Sequence, residues 1–228
     1  MNIGNTNFLF SHLNDWYLQL RDNNYHLATE SKSIIDTLMI SNENESALIY
    51  YSLLEYWHYL LKENKTKVIP RDYKDEILFY YHYFQGSLMF NNFRYEDASA
   101  HFNAVKRYLS KIDNELCYAD FHLAVGETYF YMKKYKEAIK NIEVALPIFK
   151  DESMYDELAK GMLILFDTYQ KTRDYTLAKE YIEHLYKMKN NIKNTDIVRK
   201  IAYCKENFNL NMVDSTKQNR TAVYLLKR

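Results

Sequence analysis

The segment AVGETYFYMKKYKEAIKNIEVA, from Ala124 to Ala145, decides the fold because the chain carries three versions of it at a fixed offset of 40 residues. The other two are FQGSLMFNNFRYEDASAHFNAV, starting at Phe84, and ILFDTYQKTRDYTLAKEYIEHL, starting at Ile164. An aromatic residue, an alanine and two further apolar or small residues recur in register. These positions are Tyr95, Tyr135 and Tyr175; Ala98, Ala138 and Ala178; Phe102, Ile142 and Ile182; and Val105, Ala145 and Leu185. A repeat of this length indicates a chain built from stacked supersecondary units.

The spacing of small and aromatic residues is the tetratricopeptide pattern, in which each repeat is a pair of antiparallel helices. Gly86 and Gly126 let the partner helix approach closely, and Phe166 stands at the equivalent position of the third repeat. Tyr95 and its equivalents plug the turn between the two helices. The offset of 40 residues exceeds the usual period of about 34, which predicts longer helices or loops.

The segments that flank the repeats complete the predicted organisation. Residues 1–70 have the apolar spacing of three helices, the third preceded by Asn42 and Glu45 in a near-match to a capping box. Residues 71–190 hold the repeats, and residues 191–228 begin like the first helix of a fourth repeat and end in a basic tail. We predict an all-α fold, with an N-terminal three-helix bundle followed by a tetratricopeptide-repeat superhelix.

Apolar stripes are assigned to the first two of these helices from their helical spacing. The first stripe is Phe8, Leu13, Trp16, Tyr17 and Leu20, and the second is Leu27, Ile34, Ile35, Leu38 and Met39.

Composition narrows the class of protein. The 30 Lys and Arg balance the 30 Asp and Glu, so no overall charge steers the chain towards nucleic acid or a membrane. The sequence lacks both a signal peptide and a long apolar span. Two cysteines, Cys117 and Cys204, cannot build a disulfide framework. We therefore expect a cytoplasmic protein with reduced thiols.

Catalytic and metal-binding motifs are scarce. The sequence contains no phosphate-binding glycine loop, HExxH or CxxC. His82 could meet His101 or His122 in space, but no histidine spacing indicates a metal site, and we expect no cofactor or direct nucleic-acid partner. A helical repeat instead offers a surface for peptides and partner helices.

Four segments, in order and spacing, resemble the Rap family of response regulator aspartate phosphatases of Gram-positive spore-formers. They are LNDWY from Leu13, ALIYYSLLEYWH from Ala47, YHYFQGSLMF from Tyr81 and ADFHLAVGETYFYMKK from Ala119. The resemblance implies quorum-sensing proteins whose bundle and first repeats bind a response regulator of the sporulation or competence pathway. Some members speed hydrolysis of the regulator's aspartyl phosphate, and short signalling peptides switch these activities off.

The resemblance also assigns site residues. Family phosphatases use a Gln to orient the attacking water, and the matching position here is Glu45. A carboxylate beside a phosphoryl group meets like charge, at about 4 kcal/mol for 4 Å in an effective dielectric of 20, although the regulator's own metal ion would offset part of it. We therefore expect weakened phosphatase activity, with Glu45 or Asn44 in place of Gln, or Glu45 simply capping its helix. Asn44, Leu48 and Tyr56 are the predicted regulator contacts.

The peptide site and the C-terminus depart from the family pattern. Thr168 occupies the position where the family supplies an Asn to the peptide. Family members carry about seven repeats, so this chain, with three and a fragment, has the pattern of a C-terminally short form. The alternative function is an inactive repeat scaffold that self-associates through residues 195–210, where Ile197, Ile201, Cys204 and Phe208 lack an evident covering helix.

Overall fold

The computed structural model describes residues 3–22, 24–40, 44–63, 74–109, 112 and 114–209, and within them regular structure is helical throughout, without strands. The helices are α1 (Ile3–Arg21), α2 (Tyr25–Met39), α3 (Glu45–Lys62), α4 (Lys74–Asn91), α5 (Tyr95–Val105), α6 (Glu115–Tyr131), α7 (Tyr135–Asp151), α8 (Tyr155–Lys171), α9 (Tyr175–Met188) and α10 (195–209). The predicted all-α fold is confirmed. Residues 64–73 and the basic tail from residue 210 lie outside the described residues.

The 40-residue period governs where the repeat helices begin. The second helices of the three repeats start at Tyr95, Tyr135 and Tyr175, and α6, α8 and α10 start at residues 115, 155 and 195. The alanines of the repeat, Ala98, Ala138 and Ala178, are all fully buried. Helix α10 therefore begins where the first helix of a fourth repeat is expected.

The turns inside the repeats share a left-handed residue that is never glycine. Phe93, Lys133 and Arg173 have φ angles of 60°, 59° and 64°. After Phe93, the Arg94 backbone N–H donates to the Met89 carbonyl at 2.9 Å, which is the 6→1 bond of a Schellman helix end. Such turns ordinarily use glycine, so the sequence carried no signal for them beyond the period itself.

Chain contacts separate the protein into two compact units, Met1–Met132 and Lys133–Arg228. The unit boundary falls inside the segment 71–190, and the division predicted from the sequence stays a prediction. In the first unit, α1 packs against α2, α3 and α4, and α4 packs against α5. Phe84 of α4 joins these layers, because its ring stacks on Phe10 at 4.1 Å and meets Tyr50 at 5.5 Å between centroids.

The predicted apolar stripes of the first two helices are partly wrong. Leu13, Trp16, Tyr17 and Leu20 are buried as expected, but Phe8 is half exposed. In α2 the fully buried residues are Ala28 and Ile35, whereas Leu27 and Ile34 are exposed. Leu38 and Met39, the other members of the predicted α2 stripe, are partly buried against the core.

In the second unit, α8 is the most buried helix and packs against α7 and α9. Ile201 and Phe208 of α10 are buried, and the Phe208 ring meets Phe166 edge-on at 5.7 Å between centroids. Cys204 is half-buried. The stripe thought to be uncovered is therefore largely packed inside its own unit, which removes the observation behind self-association through 195–210. Among the described helices, none is both long enough and apolar enough to cross a membrane.

Gly86 of α4 provides the close approach that the repeat pattern predicts. A Cβ atom placed there would lie 2.5 Å from Cε1 of Phe102, whose ring is buried on α5. The absence of a side chain at this position therefore lets α4 and α5 pack at contact distance.

We expect Gly86→Ala to destabilise the protein. The clash forces the buried Phe102 ring to move, at about 1–3 kcal/mol for overpacking, and the better helix propensity of Ala returns at most about 1 kcal/mol. Urea unfolding measures the change. The effect of Gly86→Ala should shrink in a Phe102→Leu background, where the ring is gone; an equal loss in both backgrounds would contradict the packing argument.

Candidate functional site

Helix α3 carries the predicted regulator contacts, and Asn44 caps its start. The Ala47 backbone N–H donates to Asn44 Oδ1 at 2.8 Å, which satisfies one of the four N–H groups left unpaired at a helix N-terminus. Asn42, the capping residue predicted from the sequence, lies outside the described residues. Glu45 is the first residue of the helix and is exposed.

The two faces of α3 differ sharply in exposure. Tyr50, Leu54 and Trp57 on the inner face are at most 1% exposed. On the outer face, Leu48 is 42% exposed and Tyr56 is 46% exposed. The two outer residues are separated by eight positions, or roughly two turns, so they align with Glu45 along one side of the helix.

A shallow groove runs along this outer side of α3. Its lining residues are Leu48, Ile49, Ser52, Leu53 and Tyr56. We call these five residues the α3 groove. The groove is mainly apolar, and Glu45 stands at its N-terminal end. This combination offers apolar contact area to a partner and a carboxylate at one edge.

Buried polar contacts hold the inner side of α3 in place. The Trp16 indole N–H donates to Nδ1 of His58 at 3.0 Å. Because an indole nitrogen can only donate, His58 accepts at Nδ1 and carries its proton on Nε2. That Nε2 lies 3.4 Å from the Thr29 hydroxyl, which itself donates to the Tyr25 carbonyl. His58 is therefore a neutral bridge between α1, α2 and α3.

An ionic cluster also ties α2 to α3. The Lys32 ammonium lies 2.8 Å from Oδ1 of Asp36, 2.9 Å from the Tyr51 hydroxyl and 3.0 Å from Oε1 of Glu55. Burial opposes the charge of Lys32, but these three partners together raise its pKa, and they raise it well above the ordinary lysine value. Tyr51 and His58 thus have defined polar partners.

The repeats reach the start of α3 through Asn114, the N-cap of α6. Its side-chain N–H donates to Oε1 of Glu45 at 3.0 Å, while its Oδ1 accepts from the Cys117 backbone N–H at 2.7 Å. Beneath this contact the Ser46 hydroxyl donates to Sγ of Cys117 at 3.5 Å, and both residues are buried. Sequence reasoning missed Asn114, because no motif signals that the starts of α3 and α6 meet.

Thr168, the predicted peptide contact, is fully buried in α8, and its hydroxyl donates to the Ile164 carbonyl at 2.7 Å. It therefore presents no surface to a peptide in this arrangement. The neighbouring Asp167 is partly exposed, and burial raises the pKa of its carboxyl group. Its Oδ2 lies 4.0 Å from Nζ of Lys200 on α10. The prediction of a peptide contact at Thr168 is not supported by its position.

The other chemical groups singled out by the sequence behave as packing residues or pairs. His82 and His101 do meet, with 3.1 Å between their Nδ1 atoms. Within the part of the chain that the structure describes, no cluster of three or more His, Cys, Asp or Glu side chains could hold a metal ion. Burial raises the pKa of Cys117 to about 11, so its sulfur is a protonated thiol at neutral pH rather than a nucleophile.

Paired helices at a 40-residue period, preceded by helices α1–α3, define an all-α repeat protein of the tetratricopeptide type. Residues 8–63 match the family model described as response regulator aspartate phosphatase H, N terminal. Response regulator aspartate phosphatase H of Bacillus subtilis (strain 168) is 23% identical over 202 residues, which cover 80% of this chain and 54% of that protein. The α3 groove and Glu45 fall inside the matched segment.

Two solved structures share the fold. Aspartyl phosphate phosphatase F from Bacillus subtilis matches with a TM-score of 0.75 at 19% identity, covering 95% of this chain and 61% of that chain. The Rap conjugation gene regulator of the plasmid pLS20, in complex with the Phr* peptide, matches with a TM-score of 0.73 at 20% identity, covering 92% and 60%. The chain spans about half the length of the curated relatives it matches. Over residues 8–63 it is similar to the N-terminal segment of the Rap family.

The pH dependence of stability should reveal the neutral bridge at His58. Burial, and then the Lys32 charge, lower the pKa of His58 below the ordinary value of 6.5. As the pH falls below about 7, the unfolded chain therefore takes up a proton before the folded chain does, and stability falls. His82 and His101, whose pKa values are also lowered by burial, act in the same direction.

We expect urea unfolding midpoints of the wild type to fall between pH 7.5 and 5.5. The variant His58→Gln should be less stable at pH 7.5 but should lose less on acidification. His26→Gln is the matched control, because the His26 side chain is 83% exposed. If the urea midpoint of His58→Gln falls with pH as steeply as that of the wild type, the bridge is contradicted.

Proposed function

We propose that this chain binds a response regulator through the α3 groove, with the regulator's aspartyl phosphate placed near residue 45. The observation that carries the proposal is the alignment of Glu45, Leu48 and Tyr56 on one exposed side of α3. Support comes from the family model, which is named for a response regulator phosphatase and matches this segment. Asn44 lies beside the groove but its Oδ1 already caps α3, so its contribution to the partner is secondary.

The groove has the composition expected of a partner-binding surface. The exposed Tyr56 side chain supplies contact area at low entropic cost and is of a type enriched among the residues that dominate binding energy, and the neighbouring aliphatic side chains add apolar area. Residue 45 lies at the edge, where a polar group can reach the partner's own site. The metal ion that phosphoryl chemistry requires would then be the regulator's.

Phosphate release is the weaker half of the proposed activity. A water-positioning residue works by holding the nucleophile, and a neutral amide does so without opposing the charge of the phosphoryl group. Glu45 brings a carboxylate to this place. We propose that the chain binds the regulator well but accelerates dephosphorylation only weakly.

A second proposed partner is a short signalling peptide. The pLS20 regulator in the structural comparison is a peptide complex, which supports a peptide as a ligand class for this chain. Thr168 is buried and is not the contact we propose. The inactive self-associating scaffold stays a prediction, and light scattering of the full chain distinguishes it, since a monodisperse monomer would contradict it.

Binding is tested with phosphorelay and competence regulators, each activated with beryllofluoride and titrated by calorimetry. Leu48→Ala and Tyr56→Ala should each weaken binding about 5- to 30-fold, the range of about 1–2 kcal/mol typical of central interface residues. Matched controls are Leu27→Ala and Tyr175→Ala, whose side chains are 44% and 47% exposed elsewhere. Lack of binding to every regulator at micromolar concentration refutes the proposal.

Phosphatase activity is tested by following labelled phosphate lost from a phosphorylated regulator. Glu45→Gln should raise the rate at least about tenfold, because removing the like charge lowers the barrier by at least about 1.4 kcal/mol. Glu43→Gln removes the same charge two residues earlier and serves as the control. A wild-type rate that Glu45→Ala leaves unchanged would show that residue 45 is not at the phosphoryl group.

A further inference from the structure

The amide of Asn114 makes two hydrogen bonds that serve two different helices. Its Oδ1 accepts from the Cys117 backbone and so caps α6, while its Nδ2 donates to Oε1 of Glu45, the first residue of α3. The two residues are 69 positions apart in the chain. An ordinary N-cap needs only the first bond, so the second is an addition that connects the repeats to the candidate phosphoryl position.

The packing beneath this bond fixes the distance between the two helix starts. Ser46 and Cys117 are 7% and 2% exposed, and the Ser46 hydroxyl donates to the Cys117 sulfur. A buried contact of this kind cannot slide without a packing defect, so Asn114 and Glu45 are held within reach of each other.

An exposed glutamate otherwise samples several rotamers, and its carboxylate has no fixed direction. Here one carboxylate oxygen is engaged from the side of α6, which restricts the side chain and determines which oxygen turns towards a partner in the α3 groove. We propose that Asn114 is a positioning residue that orients the side chain at position 45 towards the bound regulator. This inference rests on the proposed function.

The same geometry predicts how the amide of a glutamine at position 45 would be oriented. In Glu45→Gln, the Asn114 N–H can donate only to the Gln oxygen, so the Gln NH₂ group is turned outward. An aspartate at 114 reverses this, because a carboxylate accepts but does not donate. It draws the Gln NH₂ inward and turns the oxygen towards the phosphoryl group.

The test therefore uses Glu45→Gln as background and adds Asn114→Ser or Asn114→Asp. Ser and Asp are both good N-caps, so α6 keeps its cap. We expect kcat for phosphate release to fall about tenfold with Asn114→Ser, which frees the side chain, and at least as far with Asn114→Asp, which turns the amide round. KM for the regulator and the urea midpoint should stay close to the background values, whereas a purely structural role would lower the midpoint.

Asn24→Ser and Asn24→Asp are the matched controls, because Asn24 caps α2 in the same way by accepting from the Leu27 N–H. They should leave kcat unchanged. If the regulator binds and the Asn114 variants leave the rate of phosphate release unchanged, the positioning role is overturned and the proposed function stays intact. Binding without acceleration in any background also overturns it, and absence of binding overturns both.

Discussion

Burial of one face of α3 is the constraint on which the rest of the candidate site depends. Tyr50, Leu54 and Trp57 are removed from water against α1 and α4, and complete burial of an aliphatic side chain such as that of Leu54 contributes roughly 1.5–3 kcal/mol. With 3.6 residues per turn, a helix that buries these positions must turn residues 48, 52 and 56 outward. The exposed α3 groove is thus a geometric consequence of the core.

The polar contacts of the inner face add orientation to this burial. A helix held only by apolar contacts can rotate by a few degrees at small cost, whereas a hydrogen bond such as that from Trp16 to His58 has a narrow range of good geometry. The Lys32 cluster restrains the outer edge of the same interface. Together they determine which side chains of α3 a partner meets, and a rigid element gives a more precise site than a loop.

The sequence predicted the parts of this structure that repeat, and missed those that occur once. Ala98 and its equivalents could be recognised because three copies at one offset reinforce a weak local pattern. The buried face of α2 and the non-glycine turn at Phe93 had no such reinforcement. Leu48 and Tyr56 were predicted as regulator contacts through the family resemblance. The tie between Asn114 and Glu45 is a tertiary contact, and nothing in either local sequence indicates the other.

Glu45 is subject to two opposing electrostatic effects. At the first position of α3 a carboxylate interacts favourably with the positive end of the helix dipole, by about 0.3–1 kcal/mol, and it accepts a hydrogen bond from the Asn114 amide. Glutamine would keep the hydrogen bond but lose the charge–dipole attraction, so folding favours glutamate here. In the complex that we propose, the same charge would lie near a phosphoryl group and repel it, so glutamine would suit that role better. Under this proposal, the side chain that best stabilises the start of α3 is the poorer one for positioning water, and the conflict arises only in the complex with a phosphorylated regulator.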